Sequence, residues 1–218
     1  MRVKKITKNI FHINFYNQQN LCLTFLRFQE YFESPKFKGE IFTLKEYTRW
    51  YISNSLKGKK TGKFTYCKDW SGFNIPSEIL EPFYLGKFNP LSKKEKKLLD
   101  LFKKKRGDKF YIIATLSPSL KSALKHEIAH GLFYTNPRYK KDVLKILRDV
   151  KKEKIEKIHS YLSQSGGYHK DVWDDETQAY IISGLNKLKK YGFEVSGLSN
   201  ISKKLNFILK KYAKDQTP

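Results

Sequence analysis

The stretch His126-Glu127-Ile128-Ala129-His130 decides how this chain is read. On an α-helix, side chains four residues apart share a face, so His126 and His130 project to one side. Two imidazoles at that spacing can reach a single zinc ion. Glu127 projects beside them, where its carboxylate can take a proton from an attacking water. The chain has only five histidines, so finding two of them in this frame weighs against chance. The competing reading is a helix with two incidental histidines.

The flanks read as a helix built to carry a site. Phe110-Tyr-Ile-Ile-Ala-Thr-Leu116 is a short β-branched and aromatic run, which predicts a buried strand. Ser117-Pro118 follows, an N-cap with proline at the first helical position. Leu120, Ala123, Leu124, Ile128 and Leu132 then form an apolar stripe at helical spacing, and Asn136-Pro137 stops it and caps the next helix. Ile128 and Ala129 carry no charge, which suits a helix buried in a core.

Two histidines do not complete a catalytic zinc site, which takes three protein ligands and keeps one position open. A third histidine ten residues after the first is absent, because that position is Asn136, so the chain does not look like a metzincin. Asp174-Asp-Glu-Thr-Gln-Ala-Tyr180 opens a second helical segment, expected to run to about Lys190 and stop at Gly192. Glu176, Ala179 and Ser183 share a face of it, so a carboxylate sits among small residues that permit close approach to another helix. Ala129 and Gly131 offer a similarly slim surface on the motif helix. Glu176 is therefore the expected third ligand, with Asp175 its main competitor. A first-turn acid that merely complements the helix dipole is the plainer reading of either.

The pattern His126-Glu-x-x-His130 followed by a helical Glu176 resembles the gluzincin group of zinc metallopeptidases. It looks most like the small intracellular members, with the glutamate in a Glu-x-x-Ala setting (Glu176-Thr-Gln-Ala179). The resemblance covers roughly residues 110 to 190. It implies one zinc ion per chain bound by His126, His130 and Glu176, with Glu127 as general base. The chain departs from the best-known gluzincins downstream of the motif. No matched pattern assigns the group that stabilises the oxyanion; Tyr134, Tyr168, His169 and Tyr180 are candidates by position.

Composition sets bounds on this reading. At 218 residues, 39% hydrophobic and 15% aromatic, the chain can bury a substantial core. The basic first ten residues lack the apolar run and small-residue cleavage site of a signal peptide, and no stretch approaches a membrane span. Cys22 and Cys67 are too few and too far apart to suggest a disulfide framework or a cysteine zinc site. A soluble cytoplasmic protein is expected. The net charge of +23 raises a nucleic-acid or anionic-membrane partner. Most of the excess is lysine interleaved with acids on helix faces, as in Lys151-Lys-Glu-Lys-Ile-Glu-Lys157, and arginine is scarce. A solvated surface with weak, salt-sensitive polyanion binding is the favoured reading.

The fold class expected is α+β and zincin-like, a small sheet beside a mostly helical domain that carries the motif helix. One domain over 1–218 is expected, with an aromatic-rich subregion at 1–108 and a zinc-binding helical subregion at 109–218. Leu21 to Leu26 reads as a strand or a buried helix, Phe42 to Tyr51 as an amphipathic helix, and Lys57 to Gly62 as a loop. Phe64 to Cys67 reads as a strand, and a helix is expected from Pro90-Leu-Ser92 to near Gly107. A long charged helix over about 137–163, a break at Gly166-Gly167 and a final helix over about 199–213 complete the reading. His12 and His159 are taken as ordinary histidines. The function expected is zinc-dependent hydrolysis of a peptide or protein substrate, with the 110–116 strand able to take an extended substrate as an added strand. The alternatives are a zinc hydrolase acting on a non-peptide amide or ester, a basic nucleic-acid-binding protein with an incidental or structural metal site, and a binding module held together by zinc.

Overall fold

A computed structural model describes residues 2–34, 36–117, 121–164 and 170–214. Two N-terminal segments, Arg2–Thr7 (β1) and Ile10–Phe15 (β2), are neighbouring strands of one sheet. Gln18–Glu33 (α1) settles the ambiguous hydrophobic segment as helix: Asn17 caps it through a 2.8 Å bond from the Asn20 amide, and Leu21, Cys22, Phe25, Leu26 and Phe28 are buried along it. Leu44–Asn54 (α2) starts from a Thr43–Glu46 capping box. The expected loop that follows is a short helix, Leu56–Thr61 (α3). A Cβ at Gly58 would lie 2.2 Å from the Tyr51 carbonyl oxygen, so glycine is what lets this turn close against the end of α2.

The expected strand at Phe64–Cys67 is replaced by a helical turn, Tyr66–Asp69 (α4). Its side chains are claimed by α1: Cys67 is bonded to Cys22, and the Tyr66 hydroxyl donates to Glu30 Oε1 at 2.5 Å. The strand lies further on at Gly72–Pro76 (β3), followed by Glu81–Tyr84 (α5) and Lys93–Phe102 (α6), the latter opened by a Ser92–Glu95 capping box. Glu95 also takes a two-pronged bond from Arg27, 2.7 Å on each side, and Arg27 donates to the Phe88 carbonyl, so this buried pair is satisfied on both members.

Tyr111–Leu116 (β4) is the expected strand before the motif. The sheet is mixed, in the order β1-β2-β4-β3, with β3 antiparallel to β4. Strand β4 is therefore interior, with β2 on one side and β3 on the other. It has no open edge to accept a substrate strand, and the expectation of strand addition at 110–116 is corrected on that ground.

The chain divides into two compact units, Met1–Val3 with His12–Ser117 and Lys4–Phe11 with Pro118–Pro218. The second unit carries the motif. Its helices are Lys121–Thr135 (α7), Pro137–Leu147 (α8), Lys152–Gln164 (α9), Trp173–Ser183 (α10), Leu185–Lys190 (α11) and Leu198–Lys214 (α12). The expected cap at Pro118 and the break at Gly166-Gly167 lie outside the described residues. Asn136 ends α7 and caps α8, accepting from the amides of Arg138 and Tyr139. The long charged helix is two helices, because the chain turns after Leu147 and buries Val150. The glutamate segment also breaks earlier than expected, at Gly184, whose φ of 135° is not helical.

Helix α10 is the axis of this unit. Every residue from Glu176 to Ile182 is buried, because α7, α8, α9, α11 and α12 all pack on it. Within the described residues no helix is long and apolar enough to cross a membrane. The overall class is α+β.

Cys22 and Cys67, too few and too far apart in sequence to suggest a disulfide framework, form a single disulfide, because α1 and α4 bring their Cα atoms to 5.2 Å. With a sequence separation of 45, replacing both cysteines by alanine is expected to lower stability by about 2–5 kcal/mol in non-reducing denaturant melts; an unchanged midpoint would contradict the bond. Burial pushes the Glu30 carboxyl above its ordinary range, against hydrogen bonds from Tyr66 and Tyr47 that pull it down. A carboxyl raised in the folded state favours folding most below its unfolded value, and that contribution is lost as pH rises through the raised value. Glu30→Gln is therefore expected to flatten the fall in stability between acid and neutral pH, measured by urea melts at each pH; an unaltered slope would contradict it.

Candidate metal centre

Helices α7 and α10 pack closely because the surfaces they share are small: Ala129 and Ala179 are both fully buried. That approach brings the two histidines of α7 to the glutamate of α10. His130 Nε2 lies 3.2 Å from His126 Nε2 and 3.6 Å from Glu176 Oε1, and His126 Nε2 lies 3.9 Å from Glu176 Oε2. One ligand atom from each residue falls within 4.8 Å of the others. Among the described residues no other group of three histidine, cysteine or acidic side chains is placed to hold a metal ion.

The arrangement fits a metal on two counts. Two nitrogens bound to one tetrahedral ion at zinc-like bond lengths lie about 3.3 Å apart, close to the 3.2 Å between the Nε2 atoms. The electrostatics also call for a cation. Burial pulls the His130 imidazolium down, but the charges of Asp175, Glu176 and Glu127 outweigh it and push the group up to about 10. The same acidic charge would favour a cation bound at the cluster.

The far nitrogen of each imidazole is also engaged. His130 Nδ1 sits 3.0 Å from Asp175 Oδ1, and His126 Nδ1 sits 3.4 Å from Ser183 Oγ. Ser183 donates its own proton to the Tyr180 carbonyl, at 3.1 Å, so its oxygen is left to accept from His126. Each ring thus has a polar partner at Nδ1 and presents Nε2 to the cluster.

The structure thus brings His126, His130 and Glu176 together and separates the two acids that compete for the third position. Glu176 faces the Nε2 atoms, and Asp175 takes the opposite side of the His130 ring. Glu127 is half-buried on α7, near enough for its charge to act on His130. Of the four oxyanion candidates, Tyr180 lies edge-on against His126, ring centres 5.2 Å apart, and Tyr134 is half-buried one turn beyond His130. Tyr168 and His169 lie outside the described residues. His159 packs on Trp173 and faces Asp174 at 3.6 Å, and His12 bonds to Thr115 in the first unit at 2.8 Å. Sequence reasoning missed the orienting contacts of Asp175 and Ser183; Ser183 had been placed on the ligand face, but as a small residue rather than as a partner for His126.

No family model, curated protein or solved structure matches this chain.

Elemental analysis is expected to find about one metal ion per chain in the wild type and a clear loss in His126→Ala and Glu176→Ala. A metal present at about 100 times its Kd stabilises by about 2.7 kcal/mol, so chelation should lower the wild-type melting temperature and leave the variants unmoved. Equal chelator sensitivity in all three would contradict this ligand set.

Proposed function

We propose that the chain is a zinc-dependent metallopeptidase of gluzincin type, hydrolysing peptide bonds with an activated water. The observation that carries the reading is the convergence of two Nε2 atoms and one carboxylate, from two packed helices, beside the adjacent acid Glu127. A two-histidine, one-carboxylate set leaves a coordination position open, as catalytic zinc requires. Zinc held by His126, His130 and Glu176 would supply Lewis acidity, polarising the scissile carbonyl and making water a better nucleophile near neutral pH.

The chain's own residues would perform the proton transfers. Glu127 takes one proton from the attacking water as the new carbon–oxygen bond forms. It then gives that proton to the amine nitrogen as the carbon–nitrogen bond breaks. Tyr180, beside His126, is the best-placed of the described candidates to steady the oxyanion by a hydroxyl bond. Asp175 and Ser183 hold the imidazoles. The peptide substrate class rests on the resemblance of His126-Glu-x-x-His130 and Glu176-Thr-Gln-Ala179 to gluzincins.

The lysine surface is proposed as a secondary, salt-sensitive polyanion-binding property. Several of its charges meet acids nearby, as in Lys57–Asp69, Lys204–Asp149 and Lys154–Glu194.

Glu127→Gln keeps the shape of the side chain and removes the base. It is expected to retain zinc and to lose hydrolysis of an unstructured protein substrate by about 10²–10⁴-fold. A zinc-loaded variant with full activity would contradict the mechanism. Iron in place of zinc would also contradict the peptidase reading, because the same donor set suits ferrous iron and oxygen chemistry.

A further inference from the structure

Asp175 is one residue from the ligand Glu176, yet it belongs to a different network. Its Oδ1 lies 3.0 Å from His130 Nδ1 and accepts a 3.0 Å bond from Gln178 Nε2. Gln178 Oε1 in turn accepts from the Tyr139 hydroxyl at 2.9 Å. Tyr139 and Gln178 are both fully buried, and Tyr139 stands on α8, a helix that contributes no ligand.

Donor chemistry gives this chain one direction. The amide of Gln178 must turn its NH2 group towards the Asp175 carboxylate, since the opposite orientation would set two acceptor oxygens against each other. Its carbonyl oxygen is then left to receive the Tyr139 hydroxyl. Asp175, held from one side by the amide, accepts the Nδ1 proton of His130 on the other. From this geometry we infer that Tyr139, Gln178 and Asp175 form a positioning relay, which holds His130 with Nδ1 protonated and its Nε2 lone pair aimed at the metal site.

The relay rests on the metal reading given above. Packing alone accounts for a buried tyrosine meeting a buried glutamine, since each needs a partner. It does not account for the line continuing through a carboxylate to the far nitrogen of a candidate ligand. The equivalent contact at His126, to the neutral Ser183 hydroxyl, is longer, at 3.4 Å. A charge-assisted bond is the stronger of the two, so losing Asp175 should cost the site more than losing Ser183.

The test is a zinc competition titration against a chromophoric chelator, using the full chain as wild type, Asp175→Asn, Tyr139→Phe and Ser183→Ala. Melting curves of each metal-free protein are recorded alongside. Asp175→Asn should weaken zinc binding by about ten- to a hundredfold. Tyr139→Phe, which removes one oxygen and keeps the ring, should weaken it in the same direction by less, and Ser183→Ala by less than Asp175→Asn. Wild-type affinity in both Asp175→Asn and Tyr139→Phe, with or without a lowered melting temperature, overturns the relay and leaves the metal site standing. A wild-type chain that takes up no zinc overturns the metal reading and this inference with it. Nitrogen-15 correlation spectra of zinc-loaded wild type need no variant: a protonated Nδ1 on His130 supports the relay, and a protonated Nε2 overturns it.

Discussion

Glu176 is a carboxylate taken out of water, and its surroundings answer that constraint. Moving such an ion into the protein costs several kcal/mol unless positive charge or donors meet it. Glu176 cannot retreat to solvent, because α10 is covered by five other helices of its unit. What meets it is the pair of imidazoles on α7, brought close by the slim surfaces of Ala129 and Ala179. The second unit is therefore organised so that one positive charge belongs among His126, His130 and Glu176. A proton on His130 can supply it, as the upward push to about 10 indicates. A divalent cation supplies it with three directed bonds instead of one.

Packing and chemistry converge on α10 for a further reason. This helix carries the third candidate ligand and also the groups that meet both rings: Asp175 behind His130, Ser183 behind His126. The donor atoms and the groups that orient them thus sit on two packed helices rather than on loops. The covering helices tie α10 down at other points. Tyr139 of α8 bonds to Gln178, and Ser202 of α12 donates to the Ile181 carbonyl at 3.1 Å.

The legible parts of this fold were those decided locally. Ser92 with Glu95, and Asn136 before Pro137, set helix ends through side-chain bonds to amides two or three residues away, and such signals sit side by side in sequence. The four-residue spacing of His126 and His130 was legible for the same reason. The departures have distant causes. Phe64–Cys67 has the composition of a strand, but a disulfide to Cys22 and a bond to Glu30 make it a helical turn. That β4 is interior depends on β2 and β3, which lie far from it along the chain. Small residues on its face favoured Glu176 over Asp175 in sequence, but the contact of Asp175 with the far side of His130 was not legible there. Which of them faces the Nε2 atoms depends on how α10 is rotated against α7.

The central claim is that one metal ion belongs between α7 and α10, and zinc-edge anomalous diffraction from crystals of the zinc-loaded chain tests it most directly. The account predicts a single anomalous peak within bonding distance of His126 Nε2, His130 Nε2 and a Glu176 oxygen, with Asp175 still on His130 Nδ1. A peak bound by Asp175 or by an Nδ1 atom, or no peak at this position in protein shown to contain zinc, would contradict it.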